Sequence, residues 1–248
     1  MHSPFVYKLV TECFYDKKPY GAYKILKAYR KALTRNRNLI TVTDFGAGSR
    51  VFKAPQRAVR QIAKQAGVSQ KRAKLLFRLA QYFQPQNILE LGTSLGLGTI
   101  ALYLGHRQAQ LTTVEGCPNT LELAKAQFAN QLGDTNFKTV RFVNDQFQNI
   151  LKPDFLNLLL EHSDTWNLIY IDGHHSKAAT LQYIETLLPY ATNKTLWILD
   201  DIHLSPGMTE AWEHTKQLPE VTVTIDTFHW GLVFFRTEQV KQHFVIRS

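Results

Sequence analysis

Three carboxylates close two apolar runs in this sequence. One run is Ile169-Tyr-Ile-Asp-Gly-His-His175 and the other is Trp197-Ile-Leu-Asp-Asp-Ile-His203. The spacing between Asp172 and Asp200 leaves room for one helix and its two connections. A right-handed strand–helix–strand unit would then set the two runs side by side. Neighbouring strands lie about 4.8 Å apart, so Asp172, Asp200 and Asp201 would meet at one edge of a sheet. Carboxylates crowded in this way repel one another unless a cation or a proton intervenes. An all-oxygen set suits Mg²⁺, Ca²⁺ or Mn²⁺ rather than zinc. His175, just beyond Asp172, adds a group able to accept a proton near neutral pH. Each residue also has a plain reading. Asp172-Gly173 can be a tight turn, Asp200 or Asp201 can cap a backbone amide, and the histidines can be surface residues.

A second constellation precedes these. Asn87-Ile-Leu-Glu-Leu-Gly-Thr-Ser-Leu-Gly-Leu-Gly98 reads as a buried strand, a glycine turn and the start of a helix, and Val114-Glu115 ends the next strand. Glycines 92, 96 and 98 let backbone approach a ligand closely. Glu115 stands where a carboxylate can accept hydrogen bonds from ribose hydroxyls. The dinucleotide fingerprint would be G-x-G-x-x-G around a pyrophosphate. Here the spacing is G-x-x-x-G-x-G, and Glu90 would repel a pyrophosphate but attract an ammonium or sulfonium group. The pattern resembles motif I of the class I S-adenosylmethionine-dependent methyltransferases. That resemblance implies S-adenosylmethionine as cofactor, held by Glu90, Gly92, Thr93, Ser94, Gly96 and Glu115. Asp145 and Gln146, at the end of the third strand, fit the family's adenine-contacting position; an N-cap is the plainer role for Asp145. Asp44-Phe-Gly-Ala-Gly48 imitates the same motif. Pro55 follows it, with no second strand ending in an acid, so a turn or loop over the active site is expected there.

From Asn87 onward strands and helices alternate. Strands are expected over Asn87–Leu91, Leu111–Val114, Lys138–Val143, Trp166–Ile171 and Thr195–Leu199. Helices are expected over Leu97–Leu104, Pro118–Gln131, within Gln146–Glu161, over Lys177–Leu188 and around Met208–Lys216. Val221–Asp226 and Gly231–Arg236 are too close for a parallel crossover and must form an antiparallel hairpin. This succession resembles the Rossmann-like seven-stranded α/β methyltransferase sheet, order 3-2-1-4-5-7-6, with strand 7 antiparallel. Residues 84–248 are read as that domain. Residues 1–83 are read as a mainly helical N-terminal extension capping the pocket, with amphipathic helices over Tyr20–Arg35 and Ser69–Phe83 and Ser69 as an N-cap.

Asp172, Asp200 and Asp201 match the metal-binding positions of the metal-dependent catechol O-methyltransferase branch, which implies a divalent cation and O-methylation of a small molecule. Two departures stand out. The branch's catalytic lysine position is His175 here. Its hydroxylated residue two after the second motif glycine, which touches the cofactor carboxylate, is Gly98. Thr99 or backbone N–H groups would have to serve instead.

Composition bounds these readings. The 248 residues, 44% apolar, suit one well-cored domain with an added segment. Two cysteines, Cys13 and Cys117, make neither a disulfide framework nor a zinc site. No apolar run is long enough to span a bilayer or act as a leader, so a protein of the reducing cytoplasm is expected. The formal charge of +9 gathers in the N-terminal third. It would suit RNA, but the charges recur at helical spacing opposite Ile25, Leu26, Tyr29 and Leu33, as on a solvated helix face. No Asn/Asp-Pro-Pro-aromatic tetrapeptide follows the fourth strand, which also weighs against a nucleic-acid base as acceptor. A Rossmann-like oxidoreductase is a rival through Tyr23-x-x-x-Lys27, although that pair precedes the glycine turn. A cofactor-binding module without catalysis is a third reading. The extension either folds back on its own chain or exchanges within a homodimer.

Overall fold

The structure, a computed structural model of the chain, describes residues 3–45, 54–133, 137–160 and 165–247. The extension opens with α1 (Pro4–Leu9), which runs on into a π-helical turn at Val10–Phe14. Next come α2 (Ala22–Arg35) and a small antiparallel ribbon of β1 (Leu39–Thr41) and β2 (Gln56–Ala58). Helices α3 (Val59–Gln65) and α4 (Gln70–Phe83) complete it. The Ser69 hydroxyl accepts from Arg72 N at 3.3 Å, so α4 begins at the expected cap.

The alternating region then runs β3 (Asn87–Leu91), α5 (Leu97–Gly105), β4 (Gln110–Glu115), α6 (Pro118–Leu132) and β5 (Val140–Asn144). Two short helices follow, α7 (Phe147–Ile150) and α8 (Pro153–Leu160), where one was expected. Pro153 begins the second, since proline tolerates the first helical turn and not the interior. The chain continues through β6 (Leu168–Ile171), α9 (Lys177–Leu187), β7 (Leu196–Asp200) and α10 (Pro206–Gln217). It ends in β8 (Val223–Asp226), β9 (Trp230–Phe234) and β10 (Gln242–Val245).

The main sheet has the order β10-β8-β9-β7-β6-β3-β4-β5. Its first seven strands reproduce the expected 3-2-1-4-5-7-6 pattern, with β9 antiparallel to both β7 and β8. Strand β10 is an addition. It pairs parallel with β8 at the sheet edge. Only a short connection is needed, because β9 has already reversed the chain. Its alternating half-exposed residues carry too weak an apolar signal to announce a strand.

Both faces of the sheet are covered, so the central strands read as continuous Val/Ile/Leu runs. One face carries Ile88, Tyr170, Ile198 and Leu232 against Leu9, Leu33 and Leu76 of the extension. The other carries Leu89, Ile169, Trp197 and Val233 against Leu156, Ile184 and Trp212. The extension thus folds back on its own sheet. The Tyr29 hydroxyl, wholly buried, donates to the Leu95 carbonyl at 2.9 Å. Among the described residues no helix is long and apolar enough to cross a membrane.

Candidate active site

The chain reverses its winding direction at β3, and a cleft opens at the carboxyl ends of the strands there, where open α/β sheets bind ligands. The glycine turn between β3 and α5 forms one wall. Gly92, at φ +111°, would drive a Cβ into the Asp172 carbonyl, so only glycine fits. The N–H groups of Gly92 and Thr93 donate to the Val114 carbonyl at 3.0 and 3.1 Å. Ser94, at φ +47°, turns its N–H to Glu115 Oε2 at 2.9 Å, and Cys117 N donates to Oε1 at 2.9 Å. Burial raises the Glu115 pKa, and those two N–H donors pull it back. The carboxylate is therefore clamped, with lone pairs on both oxygens left for a ligand hydroxyl.

Four of the expected cofactor residues, Gly92, Ser94, Glu115 and Gln146, line this cleft. The other four sit behind it. Glu90 is fully buried under the turn, its Oε2 accepting from the hydroxyls of Thr99 and Thr113. Thr93 is also buried and shares a 2.6 Å hydrogen bond with the Thr113 hydroxyl. Gly96 caps α5 at φ +77°, its Cβ position closed by the Tyr29 hydroxyl. Asp145 Oδ1 accepts from Gln146 N at 2.7 Å and from the Asn149 side chain at 2.8 Å, so it braces the turn into α7 without serving as the expected N-cap, a position Gln146 holds. The Glu90 arrangement explains the departure at Gly98: a Cβ there would run into Glu90 Oε1. Thr99, committed to Glu90, leaves backbone N–H groups as the donors on this wall.

The extension roofs the cleft through Val42, Thr43, Asp44 and Phe45. Thr43 N donates to the Cys117 sulfur at 3.4 Å and Asn119 Nδ2 to the Thr41 carbonyl at 2.9 Å, tying the strap to the start of α6. Phe45 lies directly over Gly116, leaving no room for a side chain there. Asp44 pairs with Arg57 at 3.4 Å. The loop expected over the active site is thus seen as far as Phe45; Gly46 and Gly48 lie outside the described residues.

At its far end the cleft reaches Asp172, Gly173 and His174. The Tyr170 hydroxyl sits 2.9 Å from Asp172 Oδ2 and 3.2 Å from Asp200 Oδ2. Arg72 Nη1 reaches Asp200 Oδ1 at 3.1 Å and Oδ2 at 3.4 Å, and Asp201 N donates to Oδ1 at 2.8 Å. His175 Nε2 lies 3.6 Å from Asp172 Oδ1. Burial pushes Asp172 up to about 6 and Asp200 well above the ordinary carboxylate range, with the Asp172 and Asp201 charges adding to the second shift. His174, His175 and Asp201 all hold positive φ (66°, 26° and 53°), backbone strain of the kind that gathers at functional sites.

Residues 89–202 match a family profile described as a methyltransferase domain. The matched stretch runs from within β3 to just past β7 and holds both the glycine turn and the acidic edge. The fold agrees across nearly the whole chain. The Streptomyces achromogenes O-methyltransferase TomG, involved in tomaymycin synthesis and solved with S-adenosylmethionine, is 20% identical; the match covers 93% of this chain and 95% of that one, TM-score 0.59. The Podospora anserina methyltransferase PaMTH1, solved with S-adenosylhomocysteine, is 15% identical over 95% and 97%, TM-score 0.61. A Bacillus cereus O-methyltransferase, also with S-adenosylhomocysteine, is 17% identical over 93% and 97%, TM-score 0.56. The search of curated proteins returned no significant match.

The cleft has the chemistry to receive a ribose-bearing cofactor, with a clamped carboxylate and a bare backbone wall at the glycine turn. The acidic edge does not suit a divalent ion. Asp172, Asp200 and Asp201 were expected to share one, yet both oxygens of Asp200 already meet the Arg72 guanidinium, and one also meets the Tyr170 hydroxyl. Among the described residues no three His, Cys, Asp or Glu side chains converge as a ligand set.

The dehydrogenase-like Tyr23 faces away from this chemistry. It packs on Tyr20 and Phe77, and its hydroxyl accepts from Arg78 Nη1 at 3.0 Å. Sequence reasoning missed Arg72, Phe45, Phe147 and Tyr183. The last three are apolar or aromatic positions with no distinctive spacing, and Arg72 looks like any charge on an amphipathic helix.

Proposed function

We propose that this methyltransferase methylates an oxygen of a small hydroxylated acceptor. The carrying observation is one cleft that runs from clamped Glu115 to Asp172 and His174, with His175 beside Asp172 at the strained edge. S-adenosylmethionine, when bound, supplies an electrophilic methyl group on a sulfonium. Glu115 would hold the ribose hydroxyls, Ser94 and Gly92 would offer bare backbone to the cofactor, and Gln146 would bound the adenine end. Phe45 and its neighbours exclude water from above.

At the other end His175 takes the acceptor's hydroxyl proton. The acceptor oxygen, relieved of its proton by His175, would then be the nucleophile for the cofactor's methyl group, with the sulfonium sulfur as leaving group. Asp172, facing His175 Nε2, favours the imidazolium that results. Holding the two reactants in line is the larger part of the catalysis. No step runs through a metal ion.

The roofed cleft is what favours a small acceptor over a duplex or a folded RNA. Calorimetry with S-adenosylmethionine tests the first half of the reading, with saturable one-to-one binding expected. Radiolabelled methyl transfer into a panel of phenols, catechols and aliphatic alcohols, run beside total RNA, tests the second. His175→Ala should lower turnover with any accepted alcohol and leave cofactor affinity unchanged. Transfer into RNA alone would replace this reading by the nucleic-acid one.

A further inference from the structure

The extension places one cation at the acidic edge. Arg72 lies in the first turn of α4, three residues after the Ser69 cap, and its Nη1 reaches both oxygens of Asp200. Asp200 is only 5% exposed on its side chain and Arg72 24%, so the pair is shielded from bulk water. The guanidinium carbon also lies 6.0 Å from the Trp230 ring centroid, on the strand opposite Asp200. The remaining approach to Asp200 is taken by Tyr170, which joins it to Asp172.

We propose that Arg72 stands where a divalent cation would otherwise hold Asp172, Asp200 and Asp201 together, making this a metal-independent methyltransferase whose acceptor end is positioned by an arginine from the N-terminal extension. The inference rests on the methyltransferase reading above. A divalent ion binds at about 2.0–2.6 Å from oxygen and would need lone pairs that Arg72 and Tyr170 occupy. It would also face a fixed positive charge at close range, in surroundings of low dielectric. A single nitrogen, Nη1, makes both contacts, so the fixed charge sits against the Asp200 carboxylate and holds the Asp200–Tyr170–Asp172 chain in place. Arg72 is thus a positioning residue: it acts on the acceptor end through Asp200 and Asp172.

The test is a Mn²⁺ titration of the full-length protein, read by electron paramagnetic resonance and by thermal melting, with and without S-adenosylhomocysteine. The wild type should show no stoichiometric Mn²⁺ site and no melting shift dependent on Asp200. Arg72→Gln should gain affinity for Mn²⁺ by about tenfold or more, from removal of the opposing charge. Asp200→Asn in that background should abolish the gain. Arg72→Lys keeps the charge and should stay silent to metal. A stoichiometric wild-type Mn²⁺ site that Asp200→Asn removes would overturn the proposal, and so would an Arg72→Gln protein with unchanged Mn²⁺ affinity. If Arg72→Gln does not fold, the wild-type and Arg72→Lys titrations decide alone. Failure to bind S-adenosylhomocysteine in the same experiment would strike the functional reading and not this one.

Discussion

The backbone N–H of Ser94 donates to Glu115 Oε2 across 2.9 Å, so the glycine turn after β3 and the acidic end of β4 form one unit. Glu115→Ala should remove the ribose acceptor and free the turn together. The expected loss in S-adenosylmethionine affinity is about 1–3 kcal/mol, the range for a lost charged hydrogen-bond partner. Glu115→Gln should lie between. Calorimetry on variants with wild-type circular dichroism decides, and full affinity in Glu115→Ala would remove Glu115 from the site.

Glu90 predicts a pH dependence of stability. Burial lifts its pKa from an ordinary 4.5 to about 7, with the Thr113 and Thr99 hydroxyls acting against the shift. A raised folded-state pKa means the stabilising contribution is complete below the unfolded value. It is lost as pH rises through the folded one. Relative to Glu90→Gln, the wild type should therefore lose up to about 3 kcal/mol between pH 4.5 and pH 7. Urea midpoints of both proteins across that range measure the difference. A gap that does not change with pH refutes the assignment.

Gly98→Ser introduces the hydroxyl that the resemblance to the catechol O-methyltransferase branch leads one to expect at this position. Here it should do harm. The new Cβ meets Glu90 Oε1, which has no room to withdraw from a fully packed site. Overpacking of this kind costs about 1–3 kcal/mol, and cofactor affinity should fall rather than rise. A Gly98→Ser protein that melts like the wild type and binds cofactor more tightly would contradict the packing seen under the turn.

Tyr170→Phe removes the hydroxyl between Asp172 and Asp200. Two buried carboxyl groups lose their shared donor, at a cost of about 1–3 kcal/mol in folding stability. The Tyr170 hydrogen bond holds the Asp172 pKa down, so its removal should raise that pKa further. Chemical denaturation gives the first quantity, and carboxyl NMR of Asp172 gives the second. An unchanged Asp172 titration would show that the hydroxyl binds elsewhere in solution.

Periodicity and local chemistry determined much of this protein. The apolar runs, the glycine spacing and the short hairpin connection lead directly to a parallel sheet with an antiparallel β9, because strand period and connection length leave few topologies open. The same local signals identify Glu115 and Gly92, whose neighbours in sequence set their positions, and Ser69, whose capping bond spans three residues. Edge strand β10 escaped, since it lacks a buried face to impose an apolar pattern. Only the tertiary structure decided which way the acidic and hydroxyl side chains point. Glu90 is two residues from Gly92, yet it is buried beneath the turn and out of the cleft, in the grip of Thr99 and Thr113. Arg72 and Asp200 are separated by most of the chain, and nothing in either local sequence marks them as partners. Their meeting depends on α4 packing back across the sheet. That long-range contact, not the residue types at the edge, determines whether three aspartates await a metal ion or already have their cation.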